Sequence, residues 1–383
     1  MKIIRLVPVF LLSLLITSSC LNSTNDKQVI EKYWETLDSS GFSVYLGFTI
    51  EKQHVFTNVI TADIETDEVA SEPRVDAADD PAIWVNTKNP EKSLVLGTNK
   101  MGGIHVYNMN GEELQYVQSG CMNNIDLRDD FSYNEQEVVL VAASNCTLNT
   151  ISLFYIDKNT LLLSDTLLNI KSSVDLVYGL CMYKSPVTNK YYVIVNGEGA
   201  DVEQWEVYAE KDELKYKLVR NFKVSSKPEG MVADDDKGIL YIGVEEEGIL
   251  KINAEPEYEF EKVWVNGSNP AYQTVVTSDI EGLALYKSNN TTYLIASSQG
   301  NFSYAVFETG ETDKYLFSFV IDDDIIDGVL ETDGLEVVNF PLNEEFPMGM
   351  LVVQDGYNFS NDTLRNQNFK YISLEKIEAL FSN

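Results

Sequence analysis

Short apolar runs separated by turn residues recur along most of the chain, with the length and residue types of strands rather than helices. Gly238-Ile239-Leu240-Tyr241-Ile242-Gly243-Val244 is one such run, and Gly248-Ile249-Leu250-Lys251-Ile252 follows after a turn. Others lie at Val138–Ala143, Tyr191–Val195, Thr292–Ser297 and Gly349–Gln354. Asn110-Gly111, Lys237-Gly238 and Gly310 supply turn chemistry between runs. Amphipathic helix is expected only near the end, around Leu374–Phe381.

The runs repeat. Pro-Glu-Gly-Met-Val at 228–232, Ile-Glu-Gly-Leu-Ala at 280–284 and Thr-Asp-Gly-Leu-Glu at 332–336 are alike, and Val-Tyr-Gly-Leu-Cys at 177–181 is similar. Their glycines, Gly179, Gly230, Gly282 and Gly334, are spaced by 51, 52 and 52 residues. Stepping the period backwards lands on Asn123-Asn124-Ile125, and one shorter step reaches Asp79-Asp80-Pro81. That makes six units between about 72 and 383. All-β repeats of roughly 40–50 residues, about four strands each, predict blades around a channel, here a six-bladed β-propeller.

Each repeated motif sits just before an apolar strand. If those strands line the channel side by side, the motifs meet at one end of it. The residues so gathered are Asp79, Asp80, Asn124, Tyr178, Glu229, Glu281 and Asp333, and five of these seven are acids. Crowded carboxylates raise one another's pKa, and a hard, oxygen-loving cation relieves that cost. The pattern predicts a centre of several calcium ions. The plainer reading is that the acids cap strand ends beside glycine turns.

Composition narrows the chemistry. With 60 Asp and Glu against 28 Lys and Arg, the formal charge is −32, which repels nucleic acid and anionic membranes. The only histidines, His54 and His105, stand alone, so a zinc cluster or a histidine-based triad is not expected. At the N-terminus, Lys2 and Arg5 precede an 11-residue apolar run, Leu6–Ile16, too short to span a bilayer. Thr17-Ser18-Ser19-Cys20 follows and resembles a bacterial lipoprotein signal with lipid on Cys20. Thr17 stands where such signals usually carry Leu, which leaves ordinary signal cleavage as the alternative. The expected organisation is a signal at 1–20, a polar tether at 21–40 and a propeller domain at 41–383, exported as a monomeric outer-membrane lipoprotein, periplasmic or on the cell surface.

The motifs also carry a family resemblance. Asp76-Ala77-Ala78-Asp79-Asp80-Pro81-Ala82-Ile83-Trp84, Asn123-Asn124-Ile125-Asp126-Leu127-Arg128 and Glu229-Gly230-Met231-Val232-Ala233-Asp234-Asp235 resemble β-propeller phytases. So do Asp279-Ile280-Glu281-Gly282-Leu283, Ala296-Ser297-Ser298-Gln299-Gly300-Asn301, Thr332-Asp333-Gly334, Val353-Gln354-Asp355-Gly356 and Asn366-Gln367-Asn368-Phe369-Lys370. The resemblance implies several calcium ions and stepwise phosphate release from phytate or other inositol phosphates presented as calcium complexes. It implies metal ligation by Asp79, Asp80, Tyr178, Glu229, Glu245, Asp279, Glu281, Gln299, Asp327, Asp333, Asp355 and Asn358. Asp80, Asp327, Asp355 and Asn358 would hold structural ions, while Asp79, Tyr178, Glu229, Glu245 and Glu281 would hold catalytic ones. A further N-terminal acid is implied, with Glu68 and Glu72 both in range.

The chain departs from that family where basic side chains should meet substrate phosphates. Lys100 keeps one cation, but Met101, Cys146 and Glu198 stand where Lys, Arg and Lys are expected. Arg128 and Lys370 are candidate substitutes. Cys121 and Cys146 lie nearly equidistant from a turn at Ser132–Gln136, so hairpin pairing predicts a disulfide between them and leaves Cys181 as a core thiol. A non-catalytic calcium-stabilised propeller and a related phosphoesterase, such as a phosphodiesterase, remain alternatives at this point.

Overall fold

The computed structural model describes residues 53, 55–72, 75–258, 261–269, 279–288, 291–361 and 363–382. The expectations for 1–20, 21–40, Cys20 and His54 lie outside the described residues. Six sheets of four or five strands succeed one another along the chain. Their innermost strands are Ala78–Trp84, Met122–Tyr133, Val177–Lys184, Pro228–Asp234, Ile280–Ser288 and Leu335–Val338. Each packs on the next, and the sixth returns to the first. This is the six-bladed β-propeller that the period predicts.

Six apolar clusters hold the ring, one at each blade-to-blade interface. Between blades 3 and 4, for example, Tyr192, Ile194 and Val202 meet Leu240, Ile242 and Val244. A middle strand is thus covered on both faces, and so Tyr191–Val195 is apolar without alternation.

The ring closes through the N-terminal side of the chain. Ile64–Glu65 pairs antiparallel with Asn368–Ser373 as the outer strand of blade 6. Val59–Thr61 adds in parallel to the outer strand of blade 5. These segments precede the first repeat, and nothing in the period reveals their partners. The C-terminal helix forms at Leu374–Leu380, capped by Ser373, with Leu374 and Ile377 buried.

Met122–Tyr133 and Gln136–Asn145 form the expected hairpin, turning through Asn134 and Glu135 with φ of 52° and 60°. The pairing brings Cys121 and Cys146 to a Cα separation of 5.4 Å as a disulfide, and Cys181 is a buried free thiol. His105 is a core histidine, with Nδ1 2.6 Å from Glu113 and Nε2 3.2 Å from Asn99.

Candidate metal centre

In blades 1 to 5 the inner strand carries one extra residue at the same place. Pro228 faces Val244 and Met231 faces Ile242, so three steps oppose two. The same shift occurs between Ala78 and Pro81, Met122 and Ile125, Val177 and Leu180, and Ile280 and Leu283. Such a bulge breaks the two-residue alternation and re-aims the side chains within it. In blade 6, Asp333-Gly334 stands directly before the inner strand Leu335–Val338.

The bulge sets the true correspondence around the ring. The residues at the acid position are Asp79, Asn123, Tyr178, Glu229, Glu281 and Asp333. Asp80 and Asn124 fall at the glycine position instead. The expectation of Asn124 at the mouth is therefore corrected by one residue: Asn123 reaches across to Glu229, Nδ2 to Oε1 3.5 Å. Asp80 faces blade 2, where its carboxylate accepts the Ile125 N–H at 3.0 Å.

The glycines are explained by the same geometry. A Cβ at Gly179 would stand 1.9 Å from the carbonyl oxygen of Glu229, and one at Gly230 would stand 1.8 Å from that of Glu281. At Gly282 the nearest backbone atom is the Asp333 oxygen, and at Gly334 it belongs to Asp80. Each glycine thus makes room for the backbone beside the next blade's acid.

The converging acids are buried. Oxygens of Glu229, Glu245 and Glu281 lie within 4.8 Å of one another. Burial pushes the Asp79 carboxyl up to about 7 against the pull of Lys100, with Glu229, Asp80 and Asp76 adding to the rise. Burial likewise raises Glu281, helped by Glu229, and Asp333, opposed by Lys100. It raises Asp80 and Glu245 too, opposed by the Ile125 N–H and by Lys227 respectively. The Tyr178 phenol is raised by burial and by Glu229 and Glu281.

Lys100 lies among them, 3.0 Å from Asp76, 3.4 Å from Asp79 and 3.3 Å from Asp333. Burial opposes its charge, but these acids outweigh burial and hold it protonated. Gln299 donates to Asp333, and Asp279 adjoins Glu245 closely enough to raise its pKa. Two further acids adjoin this group that the repeat does not single out: Asp76, and Glu331, which burial and closeness to Asp333 push up to about 8. Asp76 lies beside Lys100, and Glu68 pairs with Arg365 at 2.9 Å.

Asp327 and Asp355 form a separate group around Lys370, with Glu65 2.7 Å from the ammonium. Asn358 adjoins it through Phe359, whose N–H bonds Asp327. Asp80 sits apart from this group, bonded to the Ile125 N–H and, through its own N–H, to Thr98. Neither substitute cation reaches the mouth. Lys370 is fully buried in that group, and Arg128 is held by Asp126, Asp235 and the Met182 carbonyl.

The donor set fits a hard cation. Asp79 Oδ2 and Glu229 Oε2 are buried with no hydrogen-bond partner. Glu245 Oε1 does have Lys227 2.7 Å away. Among the described residues no histidine or cysteine joins the ring, so the available donors are oxygens, which suit calcium or magnesium rather than zinc.

A stability trend follows from these acids. A carboxyl with a folded-state pKa above its unfolded value stabilises the fold fully below the unfolded value, and that contribution is lost as pH rises through the folded one. The window is 3.8 to about 7 for Asp79 and 3.8 to about 8 for Asp355. For Glu331 and Glu336 it is 4.5 to about 8. The metal-free protein is expected to have a lower Tm at about pH 8 than at about pH 5, and calcium should restore the loss. A Tm in chelator that rises over this range would contradict the assigned burial.

The family model described as "Phytase" matches residues 37–383. A 3-phytase of Bacillus subtilis (strain 168) is 42% identical over 336 residues, covering 86% of each chain. Among solved structures, a protein from Lactobacillus plantarum is similar at TM-score 0.48 and 13% identity, over 76% of this chain and 87% of that one. The propeller domain of Myceliophteria thermophila Cps50 (Swd1) is similar at TM-score 0.44 and 9% identity, over 77% and 83%. These last two likenesses add nothing to the fold already read from strand pairing.

Proposed function

The chain belongs to the phytase family, and from that premise we propose that it hydrolyses the phosphate monoesters of phytate with calcium held at the channel mouth. The observation that carries this reading is the set of buried, converging carboxylates in which Asp79 Oδ2 and Glu229 Oε2 lack any partner.

Asp79, Glu229, Glu245, Glu281 and Asp333 would be the carboxylate ligands, with Tyr178, Asp279 and Gln299 beside them. Calcium, when bound, would neutralise phosphate charge and lower the pKa of a water that attacks phosphorus. The protein's own part is placement. Blade packing holds the acids rigidly, which avoids reorganisation during reaction. Lys100, ringed by Asp76, Asp79 and Asp333, is placed to give a charge-assisted hydrogen bond to a phosphate oxygen. Asn123 and Gln299 orient acids by hydrogen bonds from their amide groups. The structural set, Asp80, Asp327, Asp355 and Asn358, is the weaker case, because Lys370 already supplies positive charge to Asp327 and Asp355.

Phosphate release from calcium phytate tests the proposal. Release should stop when a chelator is added and return with calcium. Undiminished release in excess chelator would sink the calcium assignment, and no release at any calcium concentration would sink the activity.

A further inference from the structure

A substrate with several phosphates brings more negative charge to the mouth than the reacting group alone. The expected cations for it are missing: Met101 is exposed and apolar, Glu198 is an exposed acid, and Cys146 is committed to a disulfide. One cation that the repeat did not single out does face the mouth. Lys227 directly precedes the inner strand Pro228–Asp234 of blade 4. Its ammonium lies 4.2 Å from the ring centroid of Tyr178 and 2.7 Å from Glu245 Oε1.

The position is complementary to that of Lys100. Lys100 contacts acids of blades 1 and 6, whereas Lys227 contacts blades 3 and 4, and in a six-membered ring blade 4 lies opposite blade 1. The two cations therefore flank the acid cluster from opposite sides. Lys227 also keeps capacity to bind. An ammonium has three donors, and its side chain is 36% exposed. The Tyr178 ring holds the side chain against the mouth by cation–π attraction.

We propose that Lys227 is a substrate-positioning cation that binds a non-reacting phosphate across the mouth from Lys100. The inference rests on the phosphatase reading of this site and adds to it the side chain that holds a second phosphate. Charge-assisted hydrogen bonds of this kind correspond to roughly a tenfold effect or more in affinity.

The test compares K227Q and K227R with the native protein, all saturated with calcium. Calorimetry would measure the affinity for myo-inositol hexakissulfate, a polyanion that the enzyme does not dephosphorylate. K227Q should weaken binding about tenfold, and K227R should largely restore it. KM for calcium phytate should rise in parallel, while KM for 4-nitrophenyl phosphate, with a single phosphate, should stay unchanged. K190Q, at an exposed lysine paired with Glu206 on blade 3, serves as the control and should alter nothing.

Native polyanion affinity in folded K227Q would overturn the proposal. So would a change confined to calcium affinity, which would make Lys227 only a counter-charge for Glu245. Because the polyanion titration needs no turnover, it decides the role of Lys227 even if the native protein releases no phosphate.

Discussion

Replacing Glu229 by glutamine is expected to slow phosphate release from calcium phytate by at least about a hundredfold while leaving the protein folded. The amide keeps the shape of the side chain and removes its charge. Glu229 is buried beside Glu281 and Glu245, with one oxygen unpartnered and the other 3.5 Å from Asn123. In the metal-free protein both acids, Asp79 and Glu281, and cations, Lys100 and Lys227, surround that charge, so its loss should change Tm little in chelator. In calcium Tm should fall, because a ligand is missing and linkage stabilisation shrinks. Activity assays and melting curves with and without calcium check both halves. Native activity together with a native calcium-dependent Tm shift would remove Glu229 from the metal centre.

Gly230→Ala is expected to destabilise the protein by about 3 kcal/mol or more, or to prevent folding. The new methyl would lie 1.8 Å from the carbonyl oxygen of Glu281 and 2.8 Å from its carbon. Both are backbone atoms of the adjacent blade, so no side chain can turn aside to make room. Relief requires the two blades to separate, which opens the apolar cluster of Tyr241, Ile280 and Leu283 between them. Gly310→Ala is the control, since its nearest foreign atom would be 4.0 Å away, and it should change stability by no more than about 0.5 kcal/mol. Denaturant titration of the two variants separates close blade contact from a general loss of glycine. Equal stability of Gly230→Ala and the native protein would refute the ring-closure role.

Both predictions concern one three-residue feature, and it shows how far the sequence is legible. The acid and the glycine of each motif are plain in the repeat. Their functions are separate, however: the acid faces the mouth and the glycine admits the neighbouring blade. Only the bulge register reveals that, and it also moves the blade 2 residue at the mouth from Asn124 to Asn123. A shift of one residue changes the face, and nothing local in Asn123-Asn124 indicates which of the two points inward. The cations were harder to read. Arg128 and Lys370 look as available as Lys227 in the sequence, yet the first is spent on the half-buried Asp126 and Asp235 and the second on the buried Asp327 and Asp355.

By itself the sequence determined the number of blades, the strand content and the presence of acids at the start of each inner strand. These follow from the residue period and from short-range alternation, which strands obey wherever they lie. It also determined the Cys121–Cys146 pair, because a tight hairpin links positions equidistant from its turn. Tertiary structure alone decided that Ile64–Glu65 closes blade 6, that Asn123 and Asp76 join the mouth, and that Lys227 faces it while Lys370 does not. Those outcomes depend on pairing between residues far apart in the chain. Their energies come from packing and charge that exist only once the blades meet.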